Sequence, residues 1–168
     1  FLVTNKELVE SEKKISQELK DAILLAKANI HKFHTFQQNE SIKIETSKGV
    51  ECWQESRPIE KVGLYIPGGT APLFSTVLML AVPAKIAGCK EIILCTPPDS
   101  TSAINPIILY TAYVSGVDRI YKVGGAHAIA GMALGTQTIP KVQKIFGPGN
   151  QYVTAAKQHA STLNTAID

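Results

Sequence analysis

The chain has 168 residues, 45% of them hydrophobic and 18% charged, which suits one full domain with an appendage and a packed core. This excludes a disordered, collagen-like or disulfide-stapled chain. The net charge of +3 is spread along the sequence without a block of Lys or Arg, so it reads as a solubility property and argues against a nucleic-acid partner.

The three cysteines, Cys52, Cys89 and Cys95, are odd in number and lack metal-ligand spacing. A reducing compartment is the simpler reading. No apolar run approaches the roughly 20 residues that span a bilayer, and the opening FLVTNKELVESEKK turns polar too early for a signal peptide. The cytoplasm is the expected location, with no membrane partner. At the other end the chain stops at Asn164–Asp168 without a helix cap or charged tail. Ile167 reads as the start of another buried strand, a pattern that predicts a fragment.

From Ser11 to about Gln38 the apolar residues Ile15, Leu19, Ile23, Ala26, Ile30 and Phe33 step by four, four, three, four and three. That spacing predicts one long amphipathic helix. Two β-prone runs follow, Ile42–Thr46 and Val50–Gln54, joined by Ser47-Lys48-Gly49 and predicted to form a hairpin. Residues 1–57 are expected to be an N-terminal helix-and-hairpin appendage, and 58–168 an incomplete nucleotide-binding domain.

Beyond Pro58 the pattern changes. Val62–Ile66 predicts a strand ended by Pro67-Gly68-Gly69. Ser75 to about Ala87 predicts a helix, which Pro83 must kink or deprive of a hydrogen bond. Glu91–Cys95 is the second strand, closed by Pro97-Pro98. A helix over Pro106–Ser115 carries its proline in the first turn, with Gly116 beyond its end. Arg119–Val123 is the third strand, followed by Gly124-Gly125 and a helix over Ala126–Leu134. Val142–Phe146 is the fourth, followed by Gly147-Pro148-Gly149-Asn150 and a helix to about Leu163. This alternation predicts an α/β fold, an open parallel sheet of about four strands with helices on both faces. The near-continuous apolar strands agree, since parallel strands are buried on both sides.

In such a sheet, ligands bind beyond the carboxyl ends of the strands. Three of the four predicted strands end there in glycine. Each loop leads into a helix whose unpaired N–H groups and positive dipole end favour an anion such as a pyrophosphate. Three such loops point to a nucleotide or dinucleotide site, although the same glycines also make tight strand-to-helix turns in α/β proteins of many functions. The fingerprint G-x-G-x-x-G is absent, because Tyr152 stands where the third glycine after Gly147-x-Gly149 belongs.

Other candidates carry less. His31 and His34 lack a carboxylate or thiol at a supporting metal spacing, and read as a solvated helix face. Cys95 ends a strand at the ligand edge, where a thiol nucleophile can sit, yet a structural cysteine is the commoner case. Trp53 reads as a packing residue, and His159 as a surface group near a helix C-terminus.

Three stretches carry a resemblance. Arg57-Pro58-Ile59-Glu60-Lys61-Val62-Gly63-Leu64-Tyr65-Ile66-Pro67-Gly68-Gly69, followed by Ala71-Pro72-Leu73-Phe74-Ser75-Thr76-Val77-Leu78-Met79, resembles histidinol dehydrogenases. So do Val123-Gly124-Gly125-Ala126-His127-Ala128-Ile129-Ala130 and the run from Val142 through Phe146-Gly147-Pro148-Gly149-Asn150 to Lys157. The resemblance extends back through Phe33-His34. It implies an incomplete Rossmann-like fold of the aldehyde-dehydrogenase-like type. It also implies a zinc-dependent homodimer that oxidises L-histidinol to L-histidine through an aldehyde-level intermediate, using two NAD per turnover.

Carried over by motif, Tyr65 and Asn150 match NAD-binding positions, and His127 stands where the family commonly has glutamine. The resemblance places the zinc ligands, the Glu-His general base and the substrate-binding residues beyond Asp168. It therefore offers no catalytic or metal-ligating residue within this chain, and predicts that these residues alone are inactive. Two other readings stay open: a thiol-dependent, aldehyde-dehydrogenase-like enzyme using Cys95, and a non-catalytic nucleotide-binding domain.

The His127 departure has a physical consequence. Neutral histidine offers one donor and one acceptor, where glutamine offers two donors and an acceptor. An imidazole can also gain charge and attract a pyrophosphate. NAD affinity measured between about pH 5.5 and 8 is expected to depend on pH, and to lose that dependence in His127→Gln. Identical profiles for the two proteins would refute it.

Overall fold

The structure, a computed structural model, describes residues 1–38, 41–69 and 71–168. Two helices open the chain, α1 (Asn5–Lys13) and α2 (Gln17–Thr35), followed by a hairpin of β1 (Lys43–Ser47) and β2 (Val50–Trp53). The strands β3 (Lys61–Tyr65), β4 (Glu91–Thr96), β5 (Arg119–Lys122), β6 (Lys144–Phe146) and β7 (Ala166–Ile167) then alternate with α3 (Phe74–Ile86), α4 (Pro106–Val114), α5 (Gly125–Leu134) and α6 (Gln151–Thr162).

The five strands form one sheet in the order β5-β4-β3-β6-β7, every adjacent pair parallel. The chain winds outward from β3 to β5, returns past its starting point to β6, and winds out the other way. This is the doubly wound, Rossmann-like order, with its topological switch point between β3 and β6. Beyond the four strands of the alternation, the further strand expected at Ile167 is present as the fifth: Ala166-Ile167 pairs with Lys144-Ile145 of β6. A further addition lies at the opposite edge, where Leu2 bridges Tyr121 antiparallel and Val3 N–H donates to Ile120 O at 2.9 Å. The first residues thus cover an edge whose unpaired backbone would otherwise be open to another strand.

Two apolar layers flank the sheet. Val62, Leu64, Ile92, Leu94 and Ile120 point to Val77 and Ala81 of α3 and Ile108, Leu109 and Ala112 of α4. The alternate residues Tyr65, Ile93, Cys95 and Ile145 point to Ala128, Ile129 and Met132 of α5 and Val153 and Ala160 of α6. Alternation along β4 thus feeds both cores, as a parallel strand requires. A third cluster joins Ile15 and Ile23 of the N-terminal segment to Leu78, Val82 and Tyr110 of α3 and α4.

The expected helix from Ser11 to about Gln38 is found as α2, shorter at both ends, and a separate helix, α1, precedes it and takes in Ser11–Lys13. Thr4 caps α1 in a reciprocal box with Glu7, and Ser16 starts α2 by accepting from Leu19 N–H. Capping hydroxyls and local turns stopped and restarted a stripe that periodicity alone reads as continuous. Phe33 departs from the stripe and is exposed. α3 runs through Pro83 as one helix; the proline leaves the carbonyl of Met79, on the exposed side, without its intrahelical donor. Every hairpin residue is exposed, and Trp53, expected to pack, is 68% exposed. Among the described residues no helix is long and apolar enough to cross a membrane.

Candidate functional site

Because all five strands run parallel, the loops after β3, β5 and β6 gather at one edge of the sheet. Tyr65, the last residue of β3, joins them. Its side chain is only 4% exposed, and its hydroxyl accepts the N–H of Gly125, the first residue of α5, at 3.0 Å. Its backbone lies directly beneath the loop after β6: a Cβ on Gly147 would stand 2.1 Å from the Tyr65 carbonyl oxygen. Gly147 also holds φ +127°, a conformation that favours glycine. No other residue fits here.

The loop after β4 completes the knot. The ring of Pro97 occupies the space a Cβ would take on Gly68 or Gly124, within 2.6 and 2.5 Å respectively. A Cβ on Gly69 or Gly125, by contrast, would meet nothing within 4 Å. Backbone at those two positions faces open space that a ligand can enter.

The helix starts differ in a way that bears on anions. Asn150 caps α6 with its side-chain oxygen, which accepts from Tyr152 and Val153 N–H, both at 3.1 Å. Asn105 caps α4 by accepting from Ile107 N–H. α3 and α5 begin at Leu73 and Gly124 with no side-chain cap. Among the described residues, the N–H groups of the first turn of α3 and, in α5, those that follow Gly125, whose own N–H goes to the Tyr65 hydroxyl, have no side-chain cap and can meet an outside acceptor.

Tyr65, His127 and Asn150 all lie at this edge, and each has a distinct geometry. Tyr65 is inward and holds α5 in place. His127 is exposed in the first turn of α5. Asn150 is exposed, and its cap leaves the amide NH₂ as the group free to donate. A cleft of about 470 Å³ opens between the β3 and β4 loops, lined by Pro67, Gly68, Gly69, Thr96, Pro97 and Asn105 among others. A larger cavity of about 800 Å³ lies among Arg57, Pro58, Met79, Pro83 and Cys89. It includes none of the glycine-loop residues, so it lacks convergent backbone N–H groups and is not the candidate.

Two groups that sequence reading passed over belong to the site. Pro97, which the sequence marks only as the end of a strand, fills the space beside Gly68 and Gly124. Lys157 and Asp168 fasten the Gly147 loop from below, and Lys157 had a visible signal: it lies between Val153 and Ala160 on the buried stripe of α6. A lysine in that position needs a partner.

The remaining chemistry-bearing residues lie elsewhere. His34 Nδ1 contacts Gln37 Oε1 at 2.6 Å, and His31 stays with Thr35 on the same exposed helix end. Among the described residues no three His, Cys, Asp or Glu side chains stand together in a metal-ligating group. Cys95 faces the core beneath α5, fully buried. Burial pushes its thiol up to about 12, so the thiolate that a nucleophile requires is scarce at neutral pH. That geometry disfavours the thiol-enzyme reading.

The family model for histidinol dehydrogenase matches residues 1–168. A histidinol dehydrogenase of Bacteroides fragilis (strain YCH46) is 64% identical over 166 residues, covering 99% of this chain and 39% of its own length. One of Pasteurella multocida (strain Pm70) is 57% identical over 168 residues, covering 100% of this chain and 38% of its own. The crystal structure of histidinol dehydrogenase from Elizabethkingia anophelis matches with a TM-score of 0.98 at 57% identity, over 99% of this chain and 39% of that one. The chain thus spans less than half the length of these relatives. Matched from end to end in sequence and superimposable in backbone, it belongs to the histidinol dehydrogenase family.

Proposed function

We propose that residues 58–168 hold NAD for an oxidoreductase that converts L-histidinol to L-histidine in histidine biosynthesis. The observation that carries this reading is the meeting of three glycine loops at the switch-point edge, two of them leading into helices with no side-chain cap. NAD supplies the hydride acceptor. The chain's own residues bind and orient it. The N–H groups of Ala126 and His127 in the first turn of α5, next to the Gly125 N–H that Tyr65 holds, face its pyrophosphate, with the His127 side chain in the same turn. The Asn150 amide donates to it, and so does the Tyr65 hydroxyl, which keeps its own proton while accepting from Gly125.

Among the described residues no three His, Cys, Asp or Glu side chains stand together as a metal-holding group; the base and the zinc ligands that the resemblance implies are proposed to lie in the part of the family's length that this chain does not span. Calorimetry with the chain is expected to show NAD binding at millimolar concentration. Mixing the chain with NAD and L-histidinol is expected to produce no NADH, because hydride transfer needs a positioned base and an oriented alcohol. Absence of NAD binding would remove the proposal, and turnover would show that the base lies within these residues.

Residues 1–57 are proposed to cover and assemble rather than to bind NAD. The hairpin exposes Ile44, Val50 and Trp53, and an exposed apolar surface of this kind suits an interface, here that of a homodimer in the intact enzyme. Sedimentation equilibrium of the intact enzyme is expected to show a dimer that Trp53→Ser weakens; an unchanged dimer would place the interface elsewhere. The cytoplasm is the proposed location.

A further inference from the structure

The inward stripe of α6 runs Val153, Lys157, Ala160. Lys157 is 8% exposed, and a buried ammonium is costly unless it is paired and hydrogen-bonded. Its Nζ donates to the carbonyl of Gly147 at 3.0 Å and to Oδ1 of Asp168. The other carboxylate oxygen of Asp168 accepts the N–H of Gly147 at 2.9 Å. Both polar groups of one residue, Gly147, are therefore gripped by a single ion pair. Burial pushes the Lys157 pKa below its ordinary value, while the two oxygens in contact favour the charged form.

The gripped residue is the one held hard against Tyr65 at φ +127°. Three residues further on stands Asn150, whose cap sets the first turn of α6. Asp168 directly follows β7, the outermost strand, and so anchors the loop to the far side of the sheet. We propose that Lys157 and Asp168 are positioning residues that lock the Gly147–Asn150 loop in the conformation that receives the dinucleotide. This rests on the NAD-holding role proposed above, and neither side chain is assigned a contact with NAD.

The test uses Lys157→Met, which keeps the length of the apolar stem and removes the ammonium. Asp168→Asn, which keeps an acceptor for Gly147 and so is the gentler change, serves as the second variant. Amide hydrogen exchange at Gly147 and NAD affinity by calorimetry are read on each, with exchange at Ile92–Leu94 of β4 as the measure of global folding. Lys157→Met is expected to speed Gly147 exchange and weaken NAD binding by about tenfold each, the size of losing a hydrogen bond to a charged group. β4 should stay protected. Asp168→Asn should move both readings the same way and by less.

Unchanged exchange at Gly147 in both variants overturns the clamp. Faster exchange with unchanged NAD affinity also overturns the proposal, because the loop would then be held for structural reasons alone. If Lys157→Met loses protection in β4 as well, Asp168→Asn decides. If the unaltered chain takes up no NAD, the dinucleotide reading fails separately, and the Gly147 exchange rates alone judge whether the pair locks the loop.

Discussion

Gly147→Ala is expected to lower stability by roughly 3 kcal/mol or more and to abolish NAD binding. Two effects combine. Alanine pays for a φ of +127° that it rarely adopts, and its methyl would stand 2.1 Å from the Tyr65 carbonyl oxygen. Neither partner can yield, because Gly147 and Tyr65 meet through backbone and Tyr65 is anchored in the central strand. Gly63→Ala is the informative contrast. Its Cβ would lie 2.6 Å from the sulfur of Met132, the far end of a flexible side chain, so it should cost less and leave NAD binding largely intact. Urea unfolding of both variants checks this; equal losses would mean that the Gly147 loop can move away from β3.

Tyr65→Ala is expected to cost about 3–5 kcal/mol, the usual range for truncating a buried aromatic side chain. Tyr65→Phe separates ring from hydroxyl. It keeps the packing against Ile93 and Ala128 in the core beneath α5 and removes the acceptor for Gly125 N–H. Stability should fall by only about 1 kcal/mol, the net worth of one hydrogen bond. NAD affinity should fall by about tenfold, because the start of α5 loses its anchor and the dinucleotide loses a donor. If the phenylalanine variant bound NAD as well as the unaltered chain, Tyr65 would be a packing residue only.

Much of the architecture was legible because each boundary carries a residue with one physical meaning. Gly and Pro close β3, β4, β5 and β6, and Pro106 and Gly116 bracket α4 as proline and glycine should. What sequence could not order was the sheet: nothing local in β6 says that it returns beside β3 rather than continuing past β5. The break at Ser16 was hidden because an apolar stripe ignores a cap. The N-terminal cover on β5 was hidden because three residues are too few to show alternation. At the site, the glycine loops were visible from spacing, and Tyr65, His127 and Asn150 came from the resemblance. Their partners were not visible, since the Tyr65–Gly125 contact joins residues 60 positions apart. The Lys157–Asp168 pair required the fold to bring the end of β7 under α6.

The most direct test of the central claim is to map amide shifts of the chain as NAD is added. Perturbations are predicted to cluster at Gly68 and Gly69, at Gly124 to His127, and at Gly147 to Asn150, with the exposed hairpin silent. Shifts centred instead on the cavity around Arg57, Met79 and Cys89, or no shifts at millimolar NAD, would contradict a dinucleotide site at the switch-point edge.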